Sequence, residues 1–463
     1  MIYERRYTLT ISKKADILHG NLFVNILRYG IPVIFIGLIQ SLFNAVDIMV
    51  LSHVSDDVSV ASVGAPSTLI TLFVTFFFGL SSGVKIILAR YIGANDEDKV
   101  KKTVSTAVIS AFFIGVLIAV VGFFTAYPFL RLTNCPDECL DGAALYMRIY
   151  LGAAPMIMLY NFGSAIISST GDSQRPLYYM IISGGMNVVL NFILCLIMPQ
   201  KVAAVAIATA VSQGVGAFCV IYRLCKMSGI CRLNIRNLKW STSAFSAMIA
   251  NGAPIGLTNA LYPIANLQIR AQINSFGPSA MAGDSAMVSI ESIVSSISHA
   301  PWGATISVFA SQNIGAKQYD RVKKSIAYIM IIASTLGIIL GTLGVIFSRQ
   351  LLSLYVSEEA SILYAQTRMM YTLLFNVIGA MNGVFAHAIQ SFGYATFTSM
   401  NSIISVFGFR ILWMSFIYPI NSTYGMLTQC FLVSWIITLI VNLIMFSYLY
   451  FAKFKKRTLK IMQ

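Results

Sequence analysis

Long apolar runs separated by short polar gaps dominate the chain, and none alternates like a half-buried strand. Twelve runs stand near 22–52, 59–89, 104–130, 143–170, 177–198, 202–222, 244–275, 280–311, 325–347, 360–391, 396–418 and 425–452. Each exceeds the roughly 20 residues needed to cross a hydrocarbon core. Backbone groups in lipid must be satisfied within the segment or in a closed barrel, so runs of this length without a period of two predict helices. The expected fold class is an all-α polytopic membrane protein with twelve transmembrane helices.

The polar gaps carry a repeat. RYIGANDEDKVKK, Arg90 to Lys102, returns as QNIGAKQYDRVKK, Gln312 to Lys324, at an offset of 222 residues. The same offset relates Gly30-Ile-Pro32 to Gly252-Ala-Pro254, and the Gly171 loop to the Gly393 loop. One offset across three landmarks is an internal duplication. Each copy holds six crossings, an even number, so the copies enter the membrane the same way up, as parallel-repeat six-helix lobes about an axis along the membrane normal. The organisation predicted is a cytoplasmic tail over 1–21, a first lobe over 22–225, a basic linker over 226–241, a second lobe over 242–452 and a basic cytoplasmic tail over 453–463.

Composition agrees with lipid: 57% of residues are hydrophobic and 11% charged, against about 25% charged in soluble domains. The net charge of +15 raises the question of a nucleic-acid partner, which the placement of the charges answers. Of 32 lysines and arginines, 23 fall in the tails and even-numbered loops, while the odd-numbered loops hold only Arg131, Lys201 and Arg349. This is the positive-inside bias, with both termini cytoplasmic in a plasma membrane, and it leaves no nucleic-acid partner to invoke. No signal peptide is expected before Asn21, because no apolar core follows Arg5, Arg6, Lys13 and Lys14 ahead of the first helix. Cys195, Cys219 and Cys430 fall in apolar runs as small hydrophobes; Cys135 and Cys139 share an outer loop and are a candidate pair. The absence of a phosphate-binding Gly-rich loop, a His and Cys cluster and paired carboxylates argues against an enzyme, a cofactor and ATP drive. A monomer suffices for the reading that follows.

Polar groups inside the runs narrow the function. A charge at a helix centre costs roughly 2.5 to 3.5 kcal/mol on insertion scales, so an intramembrane acid is a functional candidate by default. Asp47 is the clearest case, and Gln40, Asn44 and Asp47 share one face of the first helix at i, i+4, i+7. The fifth run carries Asn187 and Asn191, and the sixth Thr209 and Gln213, each pair one turn apart. Packing between helices is the competing role for the amides and hydroxyls, but not for a carboxylate. In the second lobe Asn259, Tyr262, Asn266 and Arg270 share a face of the seventh run, and Glu291 with Arg270 and Arg410 forms a candidate ion pair or second site. Arg270 and Arg410 read as the only deep arginines. Lys85 is expected to snorkel towards the basic interface, and His299 and His387 to be satisfied within the bundle.

These motifs resemble the multidrug and toxic compound extrusion (MATE) family over essentially the whole chain. The resemblance rests on Gly30, Pro32, Asn44 and Asp47, the IGA phrases, GDSQRP at Gly171 to Pro176, NVVLN at Asn187 to Asn191 and AIATAVSQ at Ala206 to Gln213, in order. It implies two lobes around a central cleft that opens to either side in turn, exporting organic cations in exchange for H+ or Na+. It also implies a cation site, including an Na+ site, at Asp47, Asn187, Asn191 and Thr209. Many relatives have aspartate where this chain has Asn191, which leaves one carboxylate here. The alternative on the same architecture is a flippase for lipid-linked or amphipathic precursors.

Overall fold

A computed structural model describes residues 14–54, 57–133 and 135–450, with side chains described outside 41–58 and 60. Among these residues every regular element is helical. We label the spans α1 (Leu22–Val54), α2 (Ser67–Gly93), α3 (Glu97–Leu132), α4 (Asp137–Gly152 with Ala154–Ser169), α5 (Gln174–Ile197), α6 (Lys201–Lys226), α7 (Thr242–Ser275), α8 (Pro278–Ser298 with Ala300–Gly315), α9 (Tyr319–Ile346), α10 (Glu359–Thr372 with Asn376–Ser391), α11 (Ala395–Ile420) and α12 (Tyr424–Leu449). Eight are long and apolar enough to span a membrane, and α4 and α10 are broken spans bent by 44° and 45°. The two that fall short are α7, interrupted by Asn251, Asn259, Asn266 and Arg270, and α8, interrupted by Asp284 and Glu291 and broken at His299. Helices this polar survive in a bundle only where protein or a cavity meets the polar face. The outer faces are the reverse: α3 turns Phe113, Leu117 and Phe124 outward, as a lipid-facing helix does.

The repeated phrase ends α2 and α8. Both copies close with a residue in the left-handed region, Asn95 at φ 54° and Lys317 at φ 60°. The amide of Asp96 then bonds Tyr91 O at 3.2 Å and that of Gln318 bonds Asn313 O at 2.8 Å, so the carbonyls of the last turns are satisfied. The two helix ends clasp each other's lobe. Arg90 donates from Nη2 to Ser391 O at the end of α10, and its repeat mate Gln312 donates from Nε2 to Ser169 O at the end of α4, at 2.5 Å. Gly93 and Gly315 permit the approach: a Cβ at Gly93 would stand 1.9 Å from Gln312 O, and one at Gly315 2.0 Å from Arg90 O. Deeper in the bundle, Gly79 and Gly83 of α2 meet Gly256 and Gly252 of α7 at similar range, the close helix crossing that small residues four apart allow. The lobes are therefore shut against each other on the basic face.

The segment preceding α1 reinforces that closure. Ala15 N donates to Gly171 O at 3.1 Å, while Ile17 O accepts from Arg321 Nε at 2.9 Å and His19 O from Arg321 Nη2 at 2.7 Å. Ala15 and Ile17 are buried with Trp302, Phe309 and Val322, so the strap ties the Gly171 loop to α8 and α9.

Gly93→Val is expected to part the clasp, since overpacking against backbone costs about 1–3 kcal/mol and separation of the helix ends relieves it. Hydrogen exchange of residues 15–20 and 312–321 should rise while exchange in the helix cores is unchanged. Unaltered exchange at both segments would mean that the helix ends have room.

Candidate functional site

Three of the polar residues singled out in the first lobe meet. Asn187 and Asn191 lie one turn apart on α5, and Thr209 stands opposite on α6. Asn191 Nδ2 donates to Asn187 Oδ1 at 3.2 Å, Asn187 Nδ2 donates to Thr209 Oγ1 at 3.2 Å, and Thr209 Oγ1 donates to Val205 O at 3.1 Å. All three are buried. The alanines around Thr209 on α6, Ala204, Ala206 and Ala208, are fully buried and let the helices approach. The chain of bonds holds both amides in one orientation, and α1 packs on the same helix, α5. The side chains of Asn44 and Asp47 lie outside the described residues; Gln40, one turn before Asn44, is exposed.

The second lobe holds a cavity of about 550 Å3 lined by α7, α8, α10, α11 and α12, with Phe78 and Ser82 of α2 also on its wall. Tyr262, Asn266, Arg270, Glu291 and Arg410, the residues singled out in this lobe, all line it. Their partners differ from the expectation. Glu291 pairs with neither Arg270 nor Arg410 but with Arg368 of α10, whose Nη2 donates to Glu291 Oε2 at 2.9 Å while Nη1 donates to Asp284 Oδ1. Asp284 and Glu291 stand seven residues apart on one face of α8, and Arg368 is 5% exposed between them. Arg410 instead donates from Nη1 to Asn266 Oδ1 at 2.8 Å and from Nε and Nη2 to Ser434 Oγ at 3.3 Å each. Arg270 lines the cavity exposed, with no ion pair among the described residues.

Arg270 and Arg410 are thus not the only deep arginines. Arg368 was hidden because it lies nine residues into a long run that reads as apolar, but the i, i+7 pair of acids on α8 was a signal that the facing helix carries a cation. Lys85 also departs from expectation: its Nζ lies 5.9 Å from the centroid of Phe78, two turns back along α2 and away from the basic face. Within the bundle the attraction of an aromatic face replaces the pull of the interface. His299 meets Asn376 Oδ1 through Nε2 and Ser295 Oγ through Nδ1 at 3.2 Å, and His387 Nδ1 meets Gly383 O at 2.8 Å, so both histidines are bonded within the bundle as expected. Cys135 and Cys139 are not joined. No cluster of three metal-ligating side chains occurs among the described residues.

One polar cavity in the second lobe and one buried polar cluster in the first interrupt helices that are otherwise apolar. The MatE family model matches residues 32–193 and again 254–416, one match in each half. The chain belongs to the MATE family. It is 26% identical over 82% of its length, and 84% of the relative's, to the "Probable multidrug resistance protein YoeA" of Bacillus subtilis (strain 168). A solved "Outward-facing conformation of a multidrug resistance MATE family transporter of the MOP superfamily" superposes with a TM-score of 0.84 at 20% identity, covering 94% of this chain and 97% of that one. A MATE transporter of Vibrio cholerae superposes with a TM-score of 0.83 at 17% identity, covering 93% and 98%. This MATE protein therefore has the twelve-helix fold of two six-helix lobes around a cleft, and it is a multi-pass membrane transporter.

Proposed function

We propose that the protein is a secondary active multidrug efflux antiporter that exports organic cations in exchange for H+ or Na+. Asp47 is the carboxylate that substrate and coupling ion occupy by turns, with Gln40 and Asn44 on its helix face. The observation that carries this reading is the buried Asn191–Asn187–Thr209 chain of α5 and α6, with α1 packed on α5. It supplies neutral oxygens without a second anion, which suits a proton or a weakly held monovalent ion. Ionised, Asp47 attracts the cationic cargo; protonated, or neutralised by Na+ among Asn187, Asn191 and Thr209, it releases it. Alternating access is a rocking of lobe 22–225 against lobe 242–452 about the linker 226–241, with the clasp of Arg90 and Gln312 opening in the return state. The protein works as a monomer in the plasma membrane, with the basic face, both termini and the tails 1–21 and 453–463 in the cytoplasm.

A flippase reading gains the buried Arg368, but Asp284 and Glu291 neutralise that charge where a pyrophosphate would need it. Ethidium efflux from reconstituted vesicles, under a pure pH gradient and then a pure Na+ gradient, tests the proposal. Efflux with one gradient and none without is expected; efflux indifferent to both sinks the antiporter.

A further inference from the structure

The second-lobe cavity carries the opposite sign to the proposed cation seat. Three arginines line it against two carboxylates, and both carboxylates bind the same arginine. Lys85 adds a further cation against Phe78 on the cavity wall, with no ion pair among the described residues. Arg410 is the decisive group. It is 3% exposed, and among the described residues its only hydrogen-bond partners are the neutral oxygens of Asn266 and Ser434. Of its five N–H groups three are used, so one on Nη1 and one on Nη2 find no acceptor among the described residues. Its Cζ lies 4.5 Å from the centroid of Phe431, and that of Arg368 lies 4.8 Å from the same centroid, so two guanidiniums crowd one ring.

A buried cation paired only with dipoles is costly, and a bundle selected for stability alone would give it a carboxylate or replace it. The local backbone points the same way. Arg410 sits on a single α-helical turn, Phe409–Leu412, between two π-helical stretches, Ile403–Gly408 and Trp413–Ile417. Such stretches are rare and cluster at functional sites, where the widened turn re-aims a side chain.

We propose that this cavity binds the carboxylate of an aromatic monoanion or zwitterion, with the free Nη1 and Nη2 donors of Arg410 as its anchor. Planar bidentate donation fits a carboxylate's two oxygens, and Phe78, Tyr262, Phe431 and Trp435 on the cavity wall supply ring surface for an aromatic body. Arg368 already holds two carboxylates, so among the described residues Arg410 is the buried guanidinium left to meet a ligand, and its single fork fits a carboxylate better than a pyrophosphate. The inference goes beyond the proposed cation seat on α1 and does not depend on it: it names the class of group admitted to the second lobe.

Three probes with one fluorophore test it on the purified full chain: dansylglycine (anionic), its methyl ester (neutral) and dansylcadaverine (cationic), titrated by dansyl emission. Dansylglycine is expected to bind about tenfold or more tighter than the ester, as a charge-assisted bidentate contact predicts. Arg410→Gln should erase that preference and leave affinity for the ester unchanged. Equal affinity of acid and ester for the unmodified protein, or a preference that survives Arg410→Gln, overturns the proposal. If size exclusion shows that Arg410→Gln does not fold, Arg410→Lys carries the test: it keeps the charge and loses the fork, so a reduced preference supports the anchor and an unchanged one refutes it. Unlabelled 1-naphthoate should displace dansylglycine at lower concentration than inorganic pyrophosphate; the reverse order rejects the carboxylate class. Because binding is read without a gradient, absence of the acid preference in the unmodified protein with gradient-driven ethidium efflux intact refutes this inference alone. The converse refutes the antiporter and leaves the anion seat standing.

Discussion

Asp47→Asn should reduce gradient-driven ethidium efflux to the level of protein-free vesicles while the protein still inserts and unfolds at the same temperature or slightly higher. The asymmetry follows from the two costs in play. A carboxylate within an apolar helix costs up to roughly 2.5–3.5 kcal/mol to insert, and an amide of the same shape costs less, so stability has nothing to lose. Coupling has everything to lose, because an amide can neither take up a proton nor offer Na+ a compensating charge, and the cluster of Asn187, Asn191 and Thr209 contains no other acid. Binding of a cationic dye should weaken as well, and its response to pH should flatten. The measurement is initial efflux rate in reconstituted vesicles, with thermal unfolding of the same preparation in detergent. Efflux at the unmodified rate would remove Asp47 from the mechanism; a collapsed unfolding temperature would make it structural.

Asn191→Asp is the natural counterpart. Placing a second carboxylate within one turn of Asn187 would make a coupled pair whose first proton is held more tightly and whose second charge favours Na+, so the two variants bracket the single-acid design.

What the sequence disclosed and what it hid divide along a physical line. Helix count, duplication and the basic face depend on patterns local to the chain: long apolar runs, one offset of 222 residues and charge counts in loops. The Asn187, Asn191 and Thr209 cluster was legible because one-turn spacings on consecutive helices place polar faces where they can meet. Partner choice across lobes was not. The apolar pattern pairs Glu291 with Arg270 and Arg410, whereas its partner Arg368 is fixed by the bend of α10 and its packing on α8, which no local pattern records. The repeated phrase was read as a landmark, but its meaning is geometric: Arg90 and Gln312 reach carbonyls 301 and 143 residues away in the chain, and each reaches the other half. The π-helical turns around Arg410 were equally invisible, since IISVFG and WMSFI carry the same apolar pattern as any span. Even so, the reluctance of α7 and α8 to look like membrane helices was present in the sequence, and it marks the two elements that contribute most polar side chains to the cavity.

Arg368→Leu should destabilise the second lobe by about 3–5 kcal/mol, the usual cost of removing one partner from a buried ion group. The triad explains the size. Side-chain exposure is 6% for Arg368, 7% for Asp284 and 24% for Glu291, so the substitution leaves two carboxylates on one face of α8 with no cation between them and little water to replace it. The Phe431 ring loses one of its two guanidinium contacts as well. Thermal unfolding in detergent reads the loss. The same argument predicts the rescue: adding Asp284→Asn and Glu291→Gln removes both uncompensated charges, and replacing a whole buried ion group by neutral side chains is often close to neutral. The triple variant should therefore recover most of the unfolding temperature that the single variant loses. Retained stability in the single variant would mean that water reaches the acids and that the triad is a solvated part of the cavity rather than its frame. A triple variant as unstable as the single one would assign the loss to the packing of the arginine stem and its contact with Phe431.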